Sequence, residues 1–268
     1  MTVPLFPPGE GPGTDFVGLL RKLGHDPLPQ PAGQGRTAAE VTHGTTVVAL
    51  RYTEGVVMAG DRRATQANTI ANRKMDKVFP VDRFSAVSIA GAAGPAQEMV
   101  RLFQTNVDYY EKIQGRALSL EGKANQLAQM VRSNMGAGMQ FGLWVVPIFA
   151  GYDTRRQVGR IFTYDMTGSR TEETDFDTSG SGGRDARTTI KLGWREGMVR
   201  DDAVELAIQS LYEAADEDTA TGGPDVVRGI YPMVALVTAQ GYQAVDEAEV
   251  AERFRAIIER KSAEGHRP

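Results

Sequence analysis

Two threonines follow a glycine at Gly44-Thr45-Thr46, where a proline-rich leader gives way to the first apolar run. If the chain is cut after Gly44, Thr45 carries a free α-amine beside its own hydroxyl, so nucleophile and general base belong to one residue. A threonine hydroxyl is a poor nucleophile near neutral pH and needs a base within hydrogen-bond reach. An α-amine, with an unperturbed pKa of about 7.7 to 8.0, suits that task, whereas a lysine at about 10.4 does not. Branching at the threonine β-carbon restricts the side-chain torsion and holds the hydroxyl to one side.

Five further segments supply groups that such a nucleophile needs. Asp61 lies in Gly60-Asp61-Arg62-Arg63-Ala64-Thr65 and Lys77 in Met75-Asp76-Lys77-Val78-Phe79. A charged Lys77 close to Thr45 favours alkoxide character and lowers the amine's pKa by like-charge repulsion, with Asp61 keeping the lysine charged and aimed. An arbitrary Asp–Lys pair is more often an exposed ion pair contributing about 0 to 1 kcal/mol; the neighbouring motifs reverse that reading. Gly91 precedes a glycine-proline break, a place where a backbone N–H can be left free to face a developing oxyanion, although the residues alone fit an ordinary turn glycine equally well. Ser179-Gly180-Ser181-Gly182-Gly183 stands before a helical pattern and Asp218 to Gly223 just after one. The first of these is no phosphate loop, because no Gly-Lys-Ser/Thr follows.

Composition removes the rival chemistries. The chain of 268 residues has no cysteine, which excludes a thiol nucleophile, disulfides and thiolate metal sites. Its three histidines are His25, His43 and His266, so a chain starting at Thr45 keeps only the last, in a polar tail. A Ser-His-Asp triad and a His-ligated zinc are therefore not expected, nor is any metal or cofactor. A net charge of −4 gives no footprint for nucleic acid or an anionic membrane. The leader's apolar patch around Phe16 to Leu20 is too short for an export signal, and no apolar run approaches a bilayer span, so a cytoplasmic protein is expected.

The elements that must position these residues follow from periodicity. Residues 1–44 hold seven of the thirteen prolines and are not expected to fold alone, apart from a short helix over Asp15 to Leu23. Thr46 to Tyr52 and Val56 to Gly60 read as a tight antiparallel hairpin. Further strands are expected at Phe84 to Ala90, Leu143 to Ala150, Arg160 to Tyr164, Gly168 to Glu172, Met233 to Thr238 and Tyr242 to Val245. Spacings of three and four predict helices through Met99 to Tyr110, after Ser119, from Gly183, from Asp201 and through Val250 to Ile258. Hairpins interrupted by helix pairs imply an α+β chain with two antiparallel sheets face to face and helices outside.

On Gly44-Thr45, Gly60 to Thr65, Asp76-Lys77, Gly91, Gly180-Ser181-Gly182 and Asp218 to Gly223, the chain closely resembles proteasome β subunits of the 20S type, particularly those of actinomycetes. The resemblance runs from Thr45 to about Lys261. It implies the four-layer αββα sandwich of N-terminal-nucleophile hydrolases, with residues 1–44 as a cleavable propeptide and 45–268 as the catalytic domain. It implies Thr45 as nucleophile of a threonine endopeptidase, Asp61 and Lys77 as its partners, Ser181, Asp218 and Thr221 near the new amine, and Gly91 at the oxyanion. Many relatives have serine where Thr221 stands; both supply a hydroxyl. Ala64, Thr65, Met75, Phe79, Ile89 and Ala93 are expected to line an uncharged substrate pocket with chymotrypsin-like preference. Activation is expected by autocatalytic cleavage between Gly44 and Thr45. The partners implied are an α subunit and other β subunits in two stacked heptameric β rings flanked by α rings, with a ring-shaped ATPase and a ubiquitin-like tag.

Three other readings compete. A simpler bacterial threonine peptidase without α subunits shares the Thr-Thr start but is shorter and normally lacks so long a leader. An N-terminal-nucleophile amidase would cleave small amides without forming a barrel. An inactive ring subunit, as α subunits are, would carry an N-terminal helical extension that this chain lacks.

Overall fold

The computed structural model describes residues 44–66 and 69–263; the leader with its expected helix, His43 and His266 lie outside them. Twelve strands and five helices are defined there. The first sheet has the order β10-β1-β2-β11-β12, with β1 Thr46–Tyr52, β2 Gly55–Gly60, β10 Phe176–Gly180, β11 Met233–Thr238 and β12 Gly241–Ala244. The second runs β5-β6-β7-β8-β9, with β5 Val78–Asp82, β6 Ser85–Gly91, β7 Val145–Asp153, β8 Val158–Tyr164 and β9 Arg170–Glu173. Every pairing in both sheets is antiparallel. A small separate ribbon joins β3 Ala64–Gln66 to β4 Thr69–Asn72.

Period-two alternation builds the layers. In β1, Val47 and Ala49 face the opposite sheet, where they meet Val78, Ala86, Ile148 and Ile161. Val48, Leu50 and Tyr52 face the other way, onto α3 Gly183–Gly193, α4 Arg200–Glu217 and α5 Glu247–Ala263. The second sheet turns Val87, Phe149 and Phe162 onto α1 Ala93–Gln114 and α2 Leu120–Phe141. The stack is therefore helix, sheet, sheet, helix, the αββα sandwich expected. Met99, Leu102, Phe103 and Val107 of α1 are buried, as their spacing predicts. Ser119 caps α2, its Oγ accepting from the Gly122 N–H at 3.1 Å. Among the described residues, no helix is long and apolar enough to cross a membrane.

The strands that periodicity did not predict are β3, β4, β5 and β10, and each lacks a clean apolar alternation. β5 contains Pro80, which is tolerated because β5 is an edge strand whose register shifts after that residue. β10 reads Phe-Asp-Thr-Ser-Gly, and only Phe176 is buried.

The topology brings strand ends to one rim. Thr46 pairs with Gly180 and Val47 with Gly60, so the start of β1 lies between the ends of β10 and β2. In the other sheet Val78 pairs with Ser88 and the Ile89 N–H donates to the Lys77 carbonyl, which places the start of β5 beside the second half of β6. Ile148, buried between the sheets on β7, holds this arrangement together. We expect Ile148→Ala to cost about 2 to 5 kcal/mol, read as a lower thermal unfolding midpoint with the secondary structure retained.

Candidate active site

Thr45 immediately precedes β1 and is buried to 6% exposure. Its Oγ1 donates to the carbonyl oxygen of Gly44 at 2.7 Å, so the hydroxyl sits against the peptide group that joins it to the leader. Gly44 tolerates no side chain: a Cβ there would lie 2.1 Å from Ala220 Cβ and 2.2 Å from the Ala220 carbonyl oxygen. Gly180, at φ +104°, is equally constrained, since its Cβ would fall 1.8 Å from the Thr45 carbonyl oxygen. Glycine at both positions is thus dictated by close backbone approach.

Asp61 follows β2 and Lys77 precedes β5, so the pair bridges the two sheets. Lys77 Nζ donates to Asp61 Oδ1 at 2.6 Å and to the Arg63 carbonyl at 2.7 Å. Both residues are essentially solvent-free, at 0% for Asp61 and 1% for Lys77, so this is a buried pair and not an exposed ion pair. Burial pulls the Lys77 pKa below the ordinary lysine value, and the charge and hydrogen bond of Asp61 offset only part of that. Lys77 is therefore less firmly charged than its partner alone would make it. Removing either member would strand the other in the interior, a change that costs about 3 to 5 kcal/mol.

A second set of groups lies across Thr45. The Ser181 N–H donates to the Thr45 carbonyl at 2.9 Å, and the Thr45 N–H reaches Ser181 Oγ at 3.4 Å. Asp218 follows α4 and accepts from the Ser181 hydroxyl, from Thr221 Oγ1 at 2.6 Å and from the Ala220 N–H at 3.0 Å. Burial pushes the Asp218 carboxyl up, yet these hydrogen bonds and the charge of Arg63 together hold it below the usual carboxylate value. Thr221 carries out the hydrogen bonding that a serine would, and its added methyl fits in a site with no exposure.

Thr45, Ala64, Thr65, Met75, Lys77, Ile89, Gly91 and Ala93 line one cleft of about 30 Å³ together with Gly44 and Ala96. Phe79 is the exception among the expected lining residues. Alternation along β5 turns Phe79 and Val81 toward α1, while Val78 faces the other sheet, so Phe79 packs into the helix-side core. Ala96 takes a place in the cleft wall that its position in the apolar stripe of α1 concealed. Gly91 stands at φ +108°, with space for a Cβ denied by the Trp144 carbonyl at 2.1 Å.

Arg63 and Thr46 carry no signal of their own in the sequence, although both lie inside the quoted motifs. The Arg63 guanidinium donates to the carbonyls of Thr219 and Thr221, tying the loop after α4 to the chain after β2. A larger cleft of about 450 Å³ opens beyond Arg63 and Gly222, lined by Arg62, Arg73 and residues 223–227 and 230–232, and does not include Thr45.

A four-layer sandwich whose first strand begins at a buried threonine, flanked by a buried Lys–Asp pair, is the architecture of an N-terminal-nucleophile hydrolase. Comparison with known proteins narrows the class. The family model described as proteasome subunit matches residues 41–228. "Proteasome subunit beta" of Acidimicrobium ferrooxidans is 57% identical over 252 residues, covering 94% of this chain and 92% of that protein. The proteins of the same name from Streptomyces griseus and Parafrankia sp. are 51% and 46% identical, each over at least 93% of this chain and 90% of the relative. The chain belongs to the proteasome subunit family, alongside the β subunits of actinomycetes, and its class is threonine-type endopeptidase.

The Asp218 environment carries a pH signature. A carboxyl held below its unfolded pKa adds stability that is complete above the unfolded value of 3.8 and is lost as pH falls through the folded value. Acid unfolding curves of Asp218→Asn should consequently show a shallower loss of stability below that point than the parent chain does.

Proposed function

We propose that this chain is made as an inactive precursor, that residues 1–44 are its propeptide, and that Thr45 becomes the catalytic nucleophile of a proteasome core particle. The observation that carries this reading is the Thr45 hydroxyl lying 2.7 Å from the Gly44 carbonyl oxygen beside the buried Lys77–Asp61 pair. In the precursor the Thr45 nitrogen is an amide and has no basicity. Lys77, which lines the same cleft and whose pKa burial lowers, is the side chain this reading assigns to take the hydroxyl proton. Attack of Oγ1 on the Gly44 carbonyl carbon forms an ester as the C–N bond breaks, and the proton ends on the Thr45 nitrogen. Water then hydrolyses the ester, leaving a carboxylate on Gly44 and a free amine on Thr45.

In the mature chain the same hydroxyl would attack a substrate carbonyl, with the new amine as base. Ser181 and Asp218 would hold that amine, Asp61 would hold Lys77, and Gly91 would offer its backbone N–H to the oxyanion. The cleft walls of Ala64, Met75, Ile89, Ala93 and Ala96 carry no charge, which favours apolar residues before the cut bond. Met75 stands in that wall, and its unbranched thioether adapts readily to a large side chain.

Assembly with α subunits and further β subunits would enclose the site and cover apolar groups that the single chain exposes. Ile113 near the end of α1, Met139 near the end of α2 and Leu192 at the end of α3 are 62%, 72% and 84% exposed. Heptameric rings, a ring-shaped ATPase, a ubiquitin-like tag and a cytoplasmic location rest on family likeness.

Two measurements bear on this reading. Intact mass of assembled Thr45→Ala particles should show the leader retained, whereas normal removal would refute self-cleavage. Fluorogenic peptides should be turned over fastest after large apolar residues; equal rates after basic and acidic residues would refute the specificity.

A further inference from the structure

Thr46 is fully buried, and in β1 it occupies the helix-facing row that continues as Val48, Leu50 and Tyr52. An apolar residue would extend that row, yet the position holds a hydroxyl with two polar partners. Thr46 Oγ1 lies 2.6 Å from Thr221 Oγ1 and accepts from the Gly182 N–H at 3.1 Å. The bond from Thr221 to Asp218 fixes which of the two hydroxyls donates. Thr221 spends its single hydroxyl proton on Asp218 Oδ2, so it accepts from Thr46. The chain of donors thus runs from Gly182 N–H to Thr46, to Thr221, to the Asp218 carboxylate, and that carboxylate also takes the hydroxyl of Ser181.

The backbone of the same residue is bound to the other half of the site. Thr46 N–H donates to Asp61 Oδ1 at 2.8 Å, and the Thr46 carbonyl accepts from the Asp61 N–H at 3.1 Å. Space is reserved for the hydroxyl pair, since a Cβ at Gly182 would come within 2.6 Å of Thr46 Oγ1 and 2.8 Å of Thr221 Oγ1. A buried threonine that merely satisfied itself would have no reason to join these two sets.

We propose that the Thr46 hydroxyl is a positioning group for the reaction, locking Thr221 so that Asp218 holds the Ser181 hydroxyl at the Thr45 nitrogen. The proposal rests on the reading of Thr45 as nucleophile. It assigns no chemical step to Thr46, which lies one residue away from the reacting atoms and acts through Thr221.

The test uses the full chain assembled with its α subunit, with steady-state turnover of an apolar fluorogenic peptide by Thr46→Ser, Thr46→Ala and Thr46→Val particles. Serine and alanine both lack the methyl and differ only in the hydroxyl, so their comparison stands even where the valine variant does not assemble. The alanine variant should lose about tenfold in kcat, the worth of one well-placed hydrogen bond, with KM changed by less than about twofold. Serine should restore kcat to within about threefold of the parent. Thr46→Ala combined with Thr221→Ala should be no slower than Thr221→Ala alone, because the first hydroxyl acts through the second. Unchanged kcat in Thr46→Ala, an equal loss in Thr46→Ser, or additive losses in the double variant would each overturn the proposal. Thr45→Ala particles serve as the separate control: turnover there would remove the nucleophile assignment itself.

Discussion

The Asp61 carboxylate is buried without solvent and accepts four hydrogen bonds. Oδ1 takes Lys77 Nζ at 2.6 Å and the Thr46 N–H at 2.8 Å, while Oδ2 takes the N–H groups of Arg63 at 3.0 Å and Gly222 at 2.9 Å. These four donors match the lone-pair capacity of an ionised carboxylate. They also come from four places in the chain: the start of β1, the turn after β2, the approach to β5 and the loop after α4. Burial of a bare carboxylate would be prohibitive, so the segments must stay together for the charge to be tolerated. The close approach of Gly222 is part of the same constraint, because a Cβ there would meet Arg63 Cβ at 2.4 Å.

The sandwich supplies the rigidity that this cluster needs. Antiparallel order in both sheets sends the start of β1, the ends of β2 and β10, the start of β5 and the second half of β6 to one rim. Apolar burial on both faces of β1 holds the strand that Thr45 immediately precedes, with Val47 and Ala49 between the sheets and Val48 and Leu50 under the helices. Fully burying a valine or leucine side chain stabilises by about 1.5 to 3 kcal/mol. The polar groups at the rim are therefore positioned by a core that they do not themselves stabilise greatly.

The Thr45 hydroxyl lies against the Gly44 carbonyl, and the absence of a side chain at Gly44 lets the backbone there pass beside Ala220. A glycine there is a packing requirement before it is a chemical one. The same physics explains Gly180 and Gly182, each of which faces a backbone or hydroxyl oxygen with no room for a Cβ.

Much of this architecture is legible in the linear chain. The β1–β2 hairpin, the stripes of α1 and α4 and the cap at Ser119 follow from local periodicity and local hydrogen bonding, which a sequence carries directly. The motifs around Thr45, Asp61, Lys77, Ser181 and Asp218 are visible as residue types in strand-end and loop settings. Strands β5 and β10 are not, because Pro80 and the polar run after Phe176 are made tolerable only by edge position and by the pairing of β10 with β1. The direction in which Phe79 points depends on the phase of a strand whose limits are hidden, and Ala96 counts as core until a cleft meets the helix. By itself, then, the sequence determined which residues would form most of the strands and helices and which chemical groups were present. Only the tertiary structure decided that Lys77 is buried deeply enough for desolvation to outweigh Asp61, and that Thr46 joins the two halves of the site. Such effects depend on how much water and which distant atoms surround a group, and neither is a property of its neighbours along the chain.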